Sequence, residues 1–245
     1  MRCLSEIKNK KILLIVAHPD DETLWFYQSI QKLKTNNVIV VFCLTQTGET
    51  RRGKELEALG KRIGITIIFG NCEDTGFDKL LNTKEVENAF LQAFSMGQYD
   101  FAITHPPHGG EKPHPHHLQL HRIVKRICVN TSMKYGFFCE QNLFCFSLSE
   151  KKYYLSFTNK KFIIRHVLQG KKYFRKDFDK IFFLLQSVLE VLFNFKMYIG
   201  YQTVVDLSEK QAILEIFESQ KDVLHSYSAF DSEAEFLFVE HENKI

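Results

Sequence analysis

The stretch KILLIVAHPDDE, residues 11–22, decides how this chain is read. Its first half is an unbroken run of aliphatic residues, the pattern of a strand buried on both faces. Its second half, His18-Pro19-Asp20-Asp21-Glu22, turns abruptly to charge, as a helix N-terminus does when carboxylates face its free N–H groups. Two more runs of the first kind, VIVVFCL at 38–44 and ITIIFG at 65–70, alternate with helical stretches at 22–34 and 49–64. Strand, helix, strand, helix, strand implies a parallel sheet wound with right-handed crossovers.

The pattern continues with a helix at Thr83–Met96, a fourth strand YDFAITH at 99–105, the polar loop PPHGGEKPHPHH, and a helix from His117 through Val129. Beyond residue 135 interleaved aromatic and basic residues read as extra strands. Near the end, Ser208 and Gln211 stand at capping-box spacing, predicting a long amphipathic helix over about 207–226. The expectation is one α/β domain over 1–245, Rossmann-like, with a mostly parallel sheet and helices on both faces. Its core spans 11–130, its variable region about 135–200, and extra strands and the late helix fill the C-terminal half.

Bulk properties exclude more than they identify. A net charge of +3 from 32 basic and 29 acidic residues lacks the excess that a nucleic-acid partner requires. The six cysteines are irregularly spaced without a CxxC pair and read as reduced thiols. The N-terminal apolar run, Ile12–Ala17, is too short for a signal peptide. The apolar stretch at 181–201 is broken by Gln186, Glu190, Asn194 and Lys196, so it reads as a buried helix rather than a span. A cytoplasmic location is expected. The preceding KKYFRKDFDK leaves peripheral contact with an anionic membrane as a lesser alternative. Nothing in the chain fixes an oligomeric state.

Two constellations carry chemistry. His18, Asp20 and Asp21 stand where the first strand stops, the place where open α/β sheets bind ligands. A helix cap would use one of these carboxylates; crowding two beside a histidine creates repulsion that a divalent cation relieves. His114, His116, His117 and His121 cluster after the fourth strand, which should end at the same sheet edge. Read alone, they are equally a solvated polar loop, or a His117/His121 pair on one helix face. Together, the two constellations offer a His/Asp/His set that leaves a position open on zinc or another divalent transition metal. A spare carboxylate and a second histidine remain to serve as base and oxyanion donor.

AHPDDE at a strand end, an ETRR element at 49–52, and HPHH at 114–117 resemble the PIG-L/LmbE-like zinc de-N-acetylases. The resemblance covers most of 11–130 and resumes from Val204 through Gln220. It implies that His18, Asp21 and His117 bind Zn2+, that Asp20 is the general base, and that His114 stabilises the oxyanion. It further implies that Arg52, Asp74 and, less directly, Glu49 contact an N-acetylated sugar or glycoconjugate. His116 departs from the Asp usual in that position. The expected consequence is a lowered His114 pKa and a downward shift of the pH optimum.

The activity implied is removal of an N-acetyl group from an amino sugar. Cleavage of a different acyl conjugate, or metal-retaining sugar binding without catalysis, are the alternatives. A dinucleotide-binding oxidoreductase ranks low, because the first turn reads AHPDDE where a glycine fingerprint would have to stand.

Overall fold

The computed structural model describes residues 3–76, 79–107, 109–110, 114–139, 144–148, 151–155, 198–232 and 234–240. The aliphatic runs are strands: β1 (Lys11–Val16), β2 (Val38–Thr45), β3 (Thr66–Cys72) and β4 (Phe101–Thr104). They are followed by β5 (Lys134–Cys139), β6 (Phe144–Leu148), β7 (Lys151–Leu155), β8 (Tyr198–Val204) and β9 (Ala234–Glu240). All join one sheet in the order β3-β2-β1-β4-β5-β9-β8-β7-β6. The strands from β3 to β5 are parallel, and from β5 onward every pairing is antiparallel.

Alternation along β1 divides the core. Ile12, Leu14 and Val16 pack with Leu24 and Phe26 of α1 (Asp21–Leu33), with Leu56 and Leu59 of α2 (Arg51–Ile63), and with residues near the chain's end. Leu13, Ile15 and Ala17 face the opposite side, against Val86 and Phe90 of α3 (Thr83–Ser95) and Leu120 and Val124 of α4 (Pro115–Thr131). Helices therefore cover both faces, as the fully apolar strands require. Removing most of a side chain such as Leu13 or Ile15 would cost about 2–5 kcal/mol. The cysteines whose side chains are described, Cys3, Cys43, Cys72 and Cys128, are free thiols.

The long late helix is not there. The segment folds as α5 (Leu207–Leu214), a 3-10 turn at Glu218–Gln220 and α6 (Lys221–Leu224). Its cap is Asp206, which accepts from Glu209 N at 3.1 Å, while the Ser208 hydroxyl donates to Asp206. The break has a tertiary cause. Ser219 gives its backbone N–H to Glu55 Oε1 of α2 at 3.0 Å and its hydroxyl to the other carboxylate oxygen. Those bonds and the burial of Phe217 outweigh helical continuity.

A second anchor ties the end of the chain to α1: buried Glu235 of β9 accepts from Gln28 N at 3.0 Å and Ser29 N at 2.7 Å. Among the described residues no helix is long and apolar enough to cross a membrane. The apolar 181–201 stretch before Tyr198, the basic 171–180 segment and most of the variable region lie outside the described residues.

Candidate metal centre

The strand order 3-2-1-4-5 reverses direction between β1 and β4, and the carboxyl ends of these neighbours open the crevice where such sheets bind ligands. His18 follows β1 directly. The chain then turns through Asp20, a non-glycine residue with φ of 103°, into α1. The turn is closed by His18 N donating to Asp21 Oδ2 at 2.8 Å. Opposite, Pro115 at the first position of α4 and His114 as its cap set the entry of the helix that carries His117.

Three donor atoms meet across this crevice. His18 Nδ1 and Asp21 Oδ2 are 3.4 Å apart, His117 Nε2 and Asp21 Oδ2 3.4 Å, and His117 Nε2 and His18 Nδ1 3.3 Å. A tetrahedral ion with bonds of about 2.0–2.1 Å separates its ligand atoms by roughly 3.3–3.4 Å. The triangle thus has the dimensions of one face of a zinc coordination tetrahedron, and its donors are those zinc accepts.

The far nitrogens fix the tautomers this requires. His117 Nδ1 lies 3.1 Å from the Gly109 carbonyl, so Nδ1 carries the proton and Nε2 its lone pair. Gly109 has φ of 81°, and a Cβ there would meet Leu118 Cγ at 2.9 Å, so a side chain would disturb this prop. His18 Nε2 lies 3.0 Å from His116 Nδ1. His116 Nε2 lies 2.8 Å from Thr75 Oγ1, whose hydroxyl donates to the Lys79 carbonyl. Reading the protons along this chain, His18 donates to His116 and His116 to Thr75, which leaves His18 Nδ1 unprotonated.

Three neighbouring triads also bring donors close: Asp21 with His105 and His117, His18 with Asp74 and His116, and His18 with His114 and His117. In the first, His105 Nε2 already accepts from Ala17 N at 2.9 Å. In the second, His18 Nε2 and His116 Nδ1 bond to each other, and Asp74 Oδ1 stands 3.7 and 3.9 Å away. In the third, His114 Nδ1 already accepts from His116 N at 3.2 Å. None of the three offers three uncommitted lone pairs.

Asp20 is buried beside the triangle, its Oδ2 3.0 Å from the Arg52 guanidinium. Burial pushes the carboxyl up to about 7, against the pull of Arg52. Asp21 ends well below the usual carboxylate range, because His117 and His105 outweigh its burial. His114 is held well below an ordinary histidine, first by burial and then by His18. Its Nδ1 accepts from His116 N at 3.2 Å, so the neutral ring carries its proton on Nε2.

Arg52 also reaches Asp74 at 3.2 Å and the Pro19 carbonyl at 3.0 Å. The guanidinium therefore bridges Asp20 and Asp74. Burial raises the Asp74 carboxyl, but His18, Gly76 N–H and Arg52 bring it below its ordinary value. Glu49 stands apart, exposed in the turn before α2, with no ion pair to this cluster among the described residues. The His116 side chain bonds to His18 and also packs edge-on against His114, with ring centroids 4.8 Å apart, where it adds to the lowering of the His114 pKa.

The family model described as PIG-L: GlcNAc-PI de-N-acetylase matches residues 13–128, which hold every group of this cluster. Over residues 13–128 the chain is similar to the PIG-L family. A relative described as a probable N-acetylglucosaminyl-phosphatidylinositol de-N-acetylase, from Dictyostelium discoideum, is 28% identical over 141 residues. That match covers 52% of this chain and 53% of the relative, so the chain spans about half the length of the curated protein it matches. A crystal structure of a deacetylase of the teicoplanin biosynthesis pathway superimposes with a TM-score of 0.59. It covers 96% of this chain and 100% of that one at 12% identity, a likeness of fold.

Sequence reasoning missed three members of this site. His105 directly follows β4, stacked on His117 with ring centroids 3.8 Å apart. Thr75 closes the His18–His116 chain, and Gly109 props His117. Only His105 left a signal, as a histidine ending the strand beside β1.

Proposed function

We propose that the PIG-L domain is a zinc-dependent hydrolase that removes the acetyl group from an N-acetylated amino sugar or its conjugate. The observation that carries this reading is the triangle of His18 Nδ1, Asp21 Oδ2 and His117 Nε2, with edges of 3.3–3.4 Å and with Asp20 and His114 at its rim. Those three residues would hold the metal, which would polarise the amide carbonyl and acidify water.

Asp20 serves as the base that takes a proton from the attacking water. Burial raises its carboxyl above the ordinary carboxylate range, which favours taking up that proton. His114, neutral and with its proton on Nε2, donates to the oxygen that becomes negative as water adds to the carbonyl carbon. The C–N bond then breaks, and the proton gained by Asp20 passes to the departing amine with His114 beside it. The products are acetate and the free amino sugar.

Arg52 and Asp74 present a guanidinium and a carboxylate to sugar hydroxyls or an attached phosphate. The name of the Dictyostelium relative supports an N-acetylglucosamine conjugate as substrate. The test is a panel of N-acetylated amino sugars, free and as nucleotide and lipid conjugates, assayed for acetate and free amine together. Equal amounts of both from one class of substrate support the proposal. A zinc-loaded chain that binds the sugars and releases neither would make it a binding protein.

A further inference from the structure

We propose that His105 is a positioning residue of the metal centre, holding the end of β1 and the first turn of α4 at the separation the His18–Asp21–His117 triangle needs. The proposal rests on that triangle being the metal site. The ligands come from two elements that share no covalent link nearby: His18 and Asp21 follow β1, whereas His117 sits at the start of α4. An imidazole wedged between these elements sets the distance between them.

His105 touches both sides. Its Nε2 accepts from Ala17 N at 2.9 Å, the peptide immediately before His18. Its ring lies almost parallel to that of His117, 10° between planes and 3.8 Å between centroids. The Phe138 ring closes the remaining side edge-on at 4.9 Å. The His105 main chain is latched to α4 as well, since His121 Nδ1 lies 2.8 Å from the His105 carbonyl, with the Tyr135 hydroxyl 3.1 Å from His121 Nε2.

His105 is not itself a ligand, because the lone pair it would offer is committed to Ala17 N–H. That commitment puts the ring proton on Nδ1, which is buried and has no hydrogen-bond partner among the described residues. A fully buried imidazole with one nitrogen unsatisfied is an expensive way to fill a core position that phenylalanine could fill. The geometry points to the acceptor at Nε2 as the reason for histidine there.

Two substitutions separate its contacts. His105→Phe keeps a ring against His117 but removes the acceptor for Ala17 N–H; His105→Gln offers an amide acceptor but removes the stack. The zinc dissociation constant of each full-length variant is measured by competition with a chromogenic chelator, alongside the melting temperature of the metal-free protein. The expected result is zinc affinity weakened by about tenfold or more, the scale at which outer-sphere partners act, with metal-free melting temperatures within a few degrees of the parent. If His105→Phe fails to fold, His105→Gln carries the test. Variants that bind zinc within twofold of a zinc-binding parent overturn the proposal; a parent that binds none brings down the metal-centre reading, and this one with it.

Discussion

His18 Nδ1 and His117 Nε2 lie 3.3 Å apart although 99 residues separate them in the chain. Two unprotonated imidazole nitrogens turned toward each other repel unless a cation lies between or a proton is shared, and here their far nitrogens are committed to Gly109 and His116. Asp21 completes the triangle, so losing any one member should abolish tight metal binding. Asp21→Asn is expected to lower zinc content at equilibrium to a small fraction of one per chain, as read by elemental analysis after dialysis. Full occupancy in that variant would mean the ion sits elsewhere.

Asp20 should separate chemistry from binding. Asp20→Asn removes the base while leaving the three ligands, so kcat should fall by about 10²–10⁴ with zinc content unchanged. Parallel kinetics and metal analysis check this; a variant that keeps its turnover would exclude Asp20 as the base.

The pH dependence follows from the same carboxyl. Burial raises it to about 7 in the metal-free chain. The base works ionised, so activity is lost as pH falls through its pKa, and a nearby cation moves that acid limb to lower pH. Arg52, 3.0 Å away, favours the ionised form too. Arg52→Met should therefore displace the acid limb of kcat/KM upward by about one unit or more. An unchanged limb would show that Arg52 does not tune the base.

His116→Ala removes the acceptor for His18 Nε2–H and should weaken zinc binding by about 10–100-fold. Chelator competition measures it. An affinity equal to that of the parent would reduce the His18–His116–Thr75 chain to packing.

Glu22 carries a stability prediction. It is fully buried, and burial lifts its carboxyl from 4.5 to about 8. A raised folded value means the proton stabilises the fold: the contribution is complete below pH 4.5 and is lost as pH rises through 8. Glu22→Gln mimics the protonated form. Its melting temperature should match the parent near pH 4.5 and exceed it by several degrees at pH 8.5, as calorimetry at both pH values would reveal. A gap independent of pH would refute the assignment.

Much of this was legible in the sequence because buried parallel strands leave a strong mark. KILLIVA, VIVVFCL and ITIIFG admit one reading, and fixing the ends of β1 and β4 at one edge brings the two histidine-bearing segments together. What stayed hidden depended on contacts between distant elements. Glu55 drawing Ser219 out of a helix, Arg52 bridging Asp20 and Asp74, and His116 turning to His18 are choices among partners that no local pattern encodes. His105 was hidden for a related reason: a strand-end histidine beside four others reads as part of the polar loop until its ring is seen against His117.

The proposed deacetylase activity depends on one zinc ion held by His18, Asp21 and His117. Its most direct test is to strip the protein with chelator and titrate zinc back while following acetate release from the best substrate of the panel. Release should be negligible without metal and climb linearly to a break at one equivalent per chain. Acetate released equally fast by the metal-free protein, or a rise with no break at one equivalent, would contradict the account.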